Sequence, residues 1–306
     1  QRRIHANLRP SQWQSAAVSQ QRGMSVMQIG FLHPGSMGVS LAASAKQAGH
    51  DACWASIERT PATVARASEH GLRDLGTVSA ICEQCEAIVS ICPPHVADGI
   101  ATQVAESGYS GAYLDANAIS PQRAEDIARI VDAGGARYID GGVIGGPAWQ
   151  QDKTTLYLSG EQAQEAVAWF AGGLLATSVL GSDPTAASSL KMCYAAYTKG
   201  TSALLYSILG TADALGVREA LVRQWSQGGS DLADRATGSA DGVTSRAWRW
   251  VDEMQEISRT FEGAGLPGGF HAAASEIFRR LADLKDAAGT TTDDVVKALL
   301  TEEEDR

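Results

Sequence analysis

The chain predicts a doubly wound α/β fold around a mostly parallel sheet, followed by an all-helical domain. Three observations carry this reading. Short apolar runs alternate with helical stretches from residue 27 to about 159, a glycine turn joins the first run to the first helix, and strand signals cease beyond about Pro184.

The first unit is the most informative. Residues 27–32, Met-Gln-Ile-Gly-Phe-Leu, read as a strand, residues 33–38 as a turn and residues 39–48 as a helix. Gly49-His50 ends that helix, and residues 51–56, Asp-Ala-Cys-Trp-Ala-Ser, form a second strand. Strand, glycine turn, helix and strand open a Rossmann dinucleotide-binding unit, in which the helix N-terminus offers free N–H groups and the positive end of its dipole to a pyrophosphate. A GxGxxG fingerprint would place glycines at 33, 35 and 38, but position 33 is histidine. Gly35 still lets the backbone approach phosphate and Gly38 still allows close helix–strand packing, so His33, Pro34, Gly35, Ser36 and Met37 are candidate cofactor contacts.

The end of the second strand bears on the choice of cofactor. An NAD site usually carries Asp or Glu there, whereas this strand ends at Ser56, followed by Ile57-Glu58-Arg59-Thr60-Pro61. Ser56, Arg59 and Thr60 are donors suited to a 2′-phosphate, which favours NADP(H) over NAD(H); Glu58 keeps NAD(H) open. The plainer reading makes this a polar turn in which Thr60 caps a helix that starts at Pro61.

Alternation then continues. Helices are expected over 61–71, 77–86, 95–107 and 121–133, and strands over 85–92, 112–116, 137–140 and 154–159. Pro93-Pro94 closes the third strand, because proline cannot extend a ladder. From Thr185 a long apolar helical stretch runs to Gly216, and further helices follow, with Trp225, Trp248 and Trp250 expected in their core. The implied division is a tail over 1–23, a Rossmann domain over 24–184 and a helical substrate or dimerisation domain over 185–306. Residues 1–23 are rich in Gln, Ser and Arg without an apolar signal core, and are expected to be disordered; the terminal Glu-Glu-Glu-Asp-Arg run reads as a solvated tail.

Composition narrows the function classes. With 44% hydrophobic and 20% charged residues, 306 residues describe a globular chain with a substantial core. A net charge of −10 argues against nucleic acid or an anionic membrane as partner, and no apolar run approaches a membrane span. Of five cysteines, Cys82 and Cys85 form one CxxC on an expected helix without a second pair, so no metal site is expected. The remaining cysteines read as buried apolar residues, in keeping with a cytoplasmic, reduced protein.

Lys191 is the candidate for chemistry. It interrupts the apolar start of the long helix, where partial desolvation lowers a lysine's pKa toward use as a proton donor or acceptor; the alternative is a lysine whose head reaches solvent. Helical steps of about 100° place Tyr194, Ala195 and Thr198 on its face, with Lys199 some 80° round and about 12 Å along.

The segments 30–38, 114–121 (Leu-Asp-Ala-Asn-Ala-Ile-Ser-Pro), 138–146 (Tyr-Ile-Asp-Gly-Gly-Val-Ile-Gly-Gly) and 181–191 occur in the order found in the β-hydroxyacid dehydrogenases, which the chain resembles over residues 27 to about 210. That group includes 3-hydroxyisobutyrate and 6-phosphogluconate dehydrogenases, with imine reductases as close relatives. Residues 249–271 resemble the compact C-terminal domain of a subgroup without an assigned substrate. The resemblance implies hydride transfer to or from nicotinamide with Lys191 as general acid/base, in a cleft between the two domains. It places Cys92, Pro93 and Pro94 beside the cofactor and Asn117 near the nicotinamide ribose. Gly145 and Gly146 match the substrate loop, and a homodimer through the helical domain is implied.

Two positions depart from the pattern. Ile144 stands where the loop usually has serine, and Ala195 where an asparagine usually follows the lysine by one turn. Each removes a hydrogen bond worth about 1 kcal/mol, which points away from standard hydroxy acids. Tyr194, Thr198, Lys199 and, less directly, His271 are expected to line a small-molecule pocket; His271 is more simply a capping or core residue. Two rivals follow from these departures: an imine (C=N) reductase, and a non-catalytic NADP(H)-binding regulatory protein.

Overall fold

The computed structural model describes residues 25–229 and 231–301, so the expectations for the two tails lie outside the described residues. One eight-stranded sheet has the order β3-β2-β1-β4-β5-β6-β7-β8. Its strands are β1 (Gln28–Phe31), β2 (Asp51–Trp54), β3 (Arg73–Asp74), β4 (Ala87–Ser90), β5 (Ala112–Asp115), β6 (Arg137–Ile144), β7 (Thr155–Ser159) and β8 (Ala176–Val179). All pairs are parallel except β6–β7, whose register sets Asp140 against Ser159 and Ile144 against Thr155. Alternate residues feed opposite faces: Ile29, Phe31 and Val89 enter one buried cluster and Leu32, Cys53 and Ile88 the other. A sheet buried on both faces needs continuous apolar strands, and these strands have that character.

The helices packed on the sheet are α1 (Ser36–Gln47), α2 (Pro61–Glu69), α3 (Val78–Gln84), α4 (Ala97–Glu106), α5 (Pro121–Ala133) and α6 (Ala163–Ala168), with a 3₁₀ turn at Pro94–Val96. Two expectations change in detail. Helix α1 begins at Ser36 rather than Val39, because Val39 N–H already bonds Gly35 C=O at 2.9 Å. Cys82 lies on α3, but Cys85 is its extended C-cap and leads into β4. Strands β3 and β8 were not anticipated. The first has two residues, and the second, Ala-Thr-Ser-Val, lacks alternation.

Beyond the sheet come α7 (Ala186–Ala214), α8 (Arg218–Gln227), α9 (Leu232–Thr237), α10 (Asp241–Gly263), α11 (Gly269–Arg280) and α12 (Thr292–Leu300). Their core gathers Met192, Leu209, Met254, Ile257, Phe278, Val295 and Leu299. Trp225 and Trp250 pack against it; Trp248 does not, being 47% exposed beneath the Arg249 guanidinium. No helix among the described residues is long and apolar enough to cross a membrane.

Helix α10 joins the two regions. Glu256, 1% exposed, accepts from Ser120 N–H at 2.9 Å and from Arg123 Nη1 at 2.9 Å, both at the start of α5. Asp252 meets His95, just after the β4 turn, at 2.7 Å.

Candidate functional site

The predicted nucleotide contacts gather at the carboxyl ends of the parallel strands, where open α/β sheets bind ligands. Gly38 is required there by space: a Cβ would stand 2.2 Å from the His33 carbonyl oxygen and 2.9 Å from Ile91 Cγ2. Gly35, the N-cap of α1, faces open space, with nothing within 4 Å of a Cβ, and no side chain caps the helix. The first N–H groups of α1, from Ser36 and Met37, are therefore open to an anion. Arg66 of α2 donates to the Pro34 carbonyl at 3.3 Å and steadies the turn from behind.

At the end of β2, Arg59 N–H bonds the Ser56 carbonyl at 3.1 Å across a turn whose third residue, Glu58, has φ of 58°. A glutamate in the left-handed region is strained, and such strain collects at ligand clamps. Buried atoms Arg59 Nε and His33 Nδ1 have no hydrogen-bond partner. Burial, then the Arg59 charge, pushes the His33 imidazole down to about 4, so His33 is neutral near pH 7. Unpartnered buried side-chain nitrogens beside a bare helix N-terminus fit a dinucleotide, for which Ser36 and Met37 would hold the pyrophosphate and Arg59 would face the adenosine ribose. The Thr60 hydroxyl is occupied, accepting from Thr63 N–H at 3.3 Å as the cap of α2.

Asn117 positions a loop. Its Oδ1 accepts from Cys92 N–H at 2.6 Å, its Nδ2 donates to Ser90 Oγ at 3.2 Å, and it is 2% exposed. It thus sets the Cys92-Pro93-Pro94 turn rather than offering a free amide.

The lysine end is assembled by packing. Gly142 of β6 lies under α7: a Cβ there would meet the Ala187 carbonyl oxygen at 2.5 Å and Lys191 Cβ at 3.1 Å. Thr185, the N-cap of α7, makes no side-chain cap bond. Buried Asp140 and Ser159 do that work from the sheet: Ser188 N–H and Ser188 Oγ donate to Asp140 at 2.9 and 2.5 Å, Ala187 N–H to Ser159 Oγ at 2.9 Å, and Ser159 Oγ to Asp140 at 2.9 Å. A carboxylate at a helix N-terminus also complements its dipole. These contacts fix the height and rotation of α7, and with them Lys191.

Lys191 is 17% exposed, and its Nζ lies 3.8 Å from Glu253 Oε1 of α10. Lys199, two turns on, holds that same oxygen at 2.8 Å and sits 5.5 Å from the Trp250 ring centre. Burial lowers the Lys191 pKa; Glu253 opposes this and the Lys199 charge assists it. Burial would raise the Glu253 carboxyl, but Lys199 and Lys191 hold it below its usual range.

Two family models match the chain: the NAD binding domain of 6-phosphogluconate dehydrogenase over residues 28–169, and a domain of unknown function, DUF1932, over residues 212–281. These matches, with the shared fold, support a place in the β-hydroxyacid dehydrogenase-like superfamily. An NAD-binding domain of 6-phosphogluconate dehydrogenase type supports an NAD(P)-dependent oxidoreductase. Similar folds include a conserved protein described as structurally similar to 3-hydroxyacid dehydrogenases (25% identity, 84% of this chain and 97% of that one, TM-score 0.60). Mycobacterium tuberculosis 3-hydroxyisobutyrate dehydrogenase with L-serine matches at 17% identity, 90% and 100% coverage and TM-score 0.61. The Aspergillus terreus reductive aminase with NADPH and ethyl levulinate matches at 16%, 90% and 99%, with TM-score 0.52.

Within this superfamily fold the remaining candidates divide. Ile144 ends β6, and Gly145 follows with φ of 123° and no room for a Cβ, which would lie 2.4 Å from the Lys153 carbonyl oxygen. Gly146 has open space around it, and its carbonyl accepts from Thr154 Oγ1 at 2.6 Å. Ser40 of α1 ties this loop to the nucleotide helix, accepting from Ala148 N–H at 2.9 Å; sequence reading missed it, as it missed Asp140 and Glu253. Ala195 is fully buried. Tyr194 is 48% exposed, and exposed Thr198 spends its hydroxyl on the Tyr194 carbonyl at 3.2 Å. His271 is buried in the first turn of α11, 4.4 Å from the Phe261 ring centre and beside Gly200, and its Nδ1 has no partner.

Proposed function

We propose that this protein is an NADP(H)-preferring oxidoreductase acting between a small hydroxy acid, or a related alcohol, and its carbonyl compound, with Lys191 as the proton carrier. The observation that carries the reading is a buried lysine on the Gly142 saddle, close to a carboxylate yet not in direct hydrogen-bond contact with it. When bound, the nicotinamide supplies or accepts the hydride. The chain's own residues do the rest. The open N–H groups of Ser36 and Met37 hold the pyrophosphate, and Arg59 offers its unpartnered Nε to a 2′-phosphate. Lys191, with its pKa lowered by burial, takes the hydroxyl proton as alcohol becomes carbonyl and returns it in the other direction. The open backbone at Gly146 suits an anionic group on the substrate, and half-buried Ile144 places carbon rather than a hydroxyl beside it, while Ala195 is sealed in the helical core.

The assembly expected with this reading is a homodimer through the helical region. Tyr194, Tyr197, Leu204, Ile208 and Leu215 recur at steps of three, seven, four and seven residues along α7 and its C-cap and are all exposed, an apolar stripe suited to a second copy.

The test is a titration with NADPH and NADH, followed by nicotinamide fluorescence, in wild type and Arg59→Ala. A screen of hydroxy acids, carbonyl compounds and cyclic imines follows, with Lys191→Ala as control. NADPH preference lost in Arg59→Ala, together with lysine-dependent alcohol or carbonyl turnover, supports the reading. Turnover of imines alone would assign C=N reduction instead. Tight NADPH binding with no turnover anywhere would indicate a regulatory cofactor-binding protein.

A further inference from the structure

The carboxylate of Glu253 is met by charges from two elements. Lys191 and Lys199 reach it from α7, and Arg249, one turn earlier on α10, adds a third positive charge that is felt at Glu253. The contacts are unequal: 2.8 Å from Lys199 and 3.8 Å from Lys191, to the same oxygen. Both lysines are largely buried, at 12% and 17% exposure, so neither contact is a solvent-screened surface pair. Lys199 also lies against the Trp250 ring, which limits its freedom to leave. Other titratable groups on the elements around α7 include Asp140, which accepts from Ser188 and Ser159, and His271 beside Gly200. Burial keeps that imidazole's pKa below its usual value.

We propose that Lys199 and Glu253 are positioning residues for Lys191: Lys199 takes the hydrogen bond to the Glu253 oxygen, so the carboxylate orients the Lys191 ammonium across a longer ion pair of 3.8 Å without a direct hydrogen bond, and its N–H bonds stay directed to substrate. This rests on the assignment of Lys191 as proton carrier. It adds a device that the chain builds from two positions, 199 and 253, distant in sequence from each other. A lysine fully paired with a buried carboxylate would be a poor acid and a poor base at neutral pH, because the pair would have to be broken at each turnover. Sharing the carboxylate with a second lysine avoids that.

The two positions should move Lys191 in opposite directions. Lys199→Met removes a repelling charge and frees Glu253 to close on Lys191, which raises the lysine's titration midpoint by on the order of one pH unit. Glu253→Gln removes the attracting charge and lowers it by a similar amount. The double variant Lys199→Met/Glu253→Gln removes one charge of each sign and falls between them; it also guards against a single variant that fails to fold by burying an unbalanced charge. The measurement is the pH dependence of Lys191 acetylation by acetic anhydride on the full chain with NADPH present, read by peptide mass spectrometry. It needs no turnover, so an inactive substrate panel would count against the proposed function without touching this result. Where turnover is found, the limb of the kcat/KM pH profile should shift with the same signs, and Glu253→Asp should restore part of the wild-type profile. Equal midpoints in wild type and the single variants, or shifts of the same sign in both, would overturn the proposal.

Discussion

The two ends of the site are built on opposite plans. At the proposed nucleotide end, the groups suited to the pyrophosphate and adenosine ribose come from one run, residues 33–59, and most of them are backbone: the α1 N–H groups, a helix that only Gly38 allows to pack so tightly, and a turn strained at Glu58. At the lysine end they are side chains scattered from Asp140 to Glu253, brought together by the crossing of α7 over β6 and the packing of α10 against α7. Local chain geometry is sufficient for the first, whereas the second exists only when the whole molecule is folded. The two should therefore fail differently when damaged.

The largest effect tests that separation directly. Lys191→Ala should lower turnover by about 10²–10⁴-fold while leaving the NADPH dissociation constant within a few-fold of wild type. Gly38→Ala should do the reverse, because the 2.2 Å clash with the His33 carbonyl must displace the turn itself; NADPH affinity should fall tenfold or more. Single-turnover kinetics beside equilibrium binding separates the two outcomes. Loss of NADPH binding in Lys191→Ala would show that the ends are not independent.

Next in size is the sheet-borne cap of α7. Asp140→Ala leaves Ser188 N–H and two hydroxyls without their acceptor in a buried place, which should cost about 2–4 kcal/mol in chemical denaturation. Turnover should fall as well, since the rotation of α7 sets Lys191. Gly142→Val should act similarly by pushing α7 off the sheet. A loss of activity at unchanged stability in Asp140→Ala would instead give this carboxylate a part in the chemistry.

This division explains what could be read from the chain alone. The Rossmann unit, the helical region and the candidate lysine were legible because each rests on contiguous pattern: alternating strands and helices, a glycine turn, and one lysine in an apolar helix. Helix α5 begins and ends at the residues expected, since Pro121 starts it and the Gly134-Gly135 pair stops it. Glu253 was not legible as a partner of Lys191. On α10 it is one of several acids, and nothing local distinguishes it from Asp252, which turns instead to His95. Asp140 was hidden inside a strand, where its role as a cap for a helix 46 residues later depends on the β6–β7 register. Thr60 was ambiguous for a different reason: one hydroxyl suited both a phosphate and a helix cap, and the fold uses it as a cap.

A smaller, pH-dependent effect belongs to the boundary between the two ends. Asp115, 1% exposed, accepts from Asn117 N–H at 2.9 Å with one oxygen, while the other has no partner. Burial, opposed by the Asn117 bond and aided by the neighbouring Asp140 charge, pushes its carboxyl up to about 7. The folded state therefore binds this proton more tightly than the unfolded chain, whose aspartates titrate near 4. Between those values the folded protein carries the extra proton, so this group's contribution to stability is fully present below about pH 4 and is lost as pH rises to about 7. Asp115→Asn keeps the acceptor for Asn117 and removes the titration. Its urea midpoint should exceed that of wild type at pH 8 and approach it at pH 5. A constant difference across that range would place the raised pKa elsewhere.

The last comparison, whose Thr60 arm carries the smallest expected effect, sharpens the cofactor assignment. Arg59 and Thr60 are adjacent and both could donate to a phosphate, but only Arg59 has a buried nitrogen without a partner. Arg59→Ala should cost NADPH about 1.5–3 kcal/mol of binding and leave NADH nearly unchanged. Thr60→Ala should do neither. It removes a cap that holds Thr63 N–H at 3.3 Å, so it should destabilise the fold by about 0.5–1 kcal/mol and leave the ratio of NADPH to NADH affinity as it was. If Thr60→Ala instead collapses that ratio while Arg59→Ala does not, the hydroxyl leaves its cap on binding and the 2′-phosphate is held by the first turn of α2.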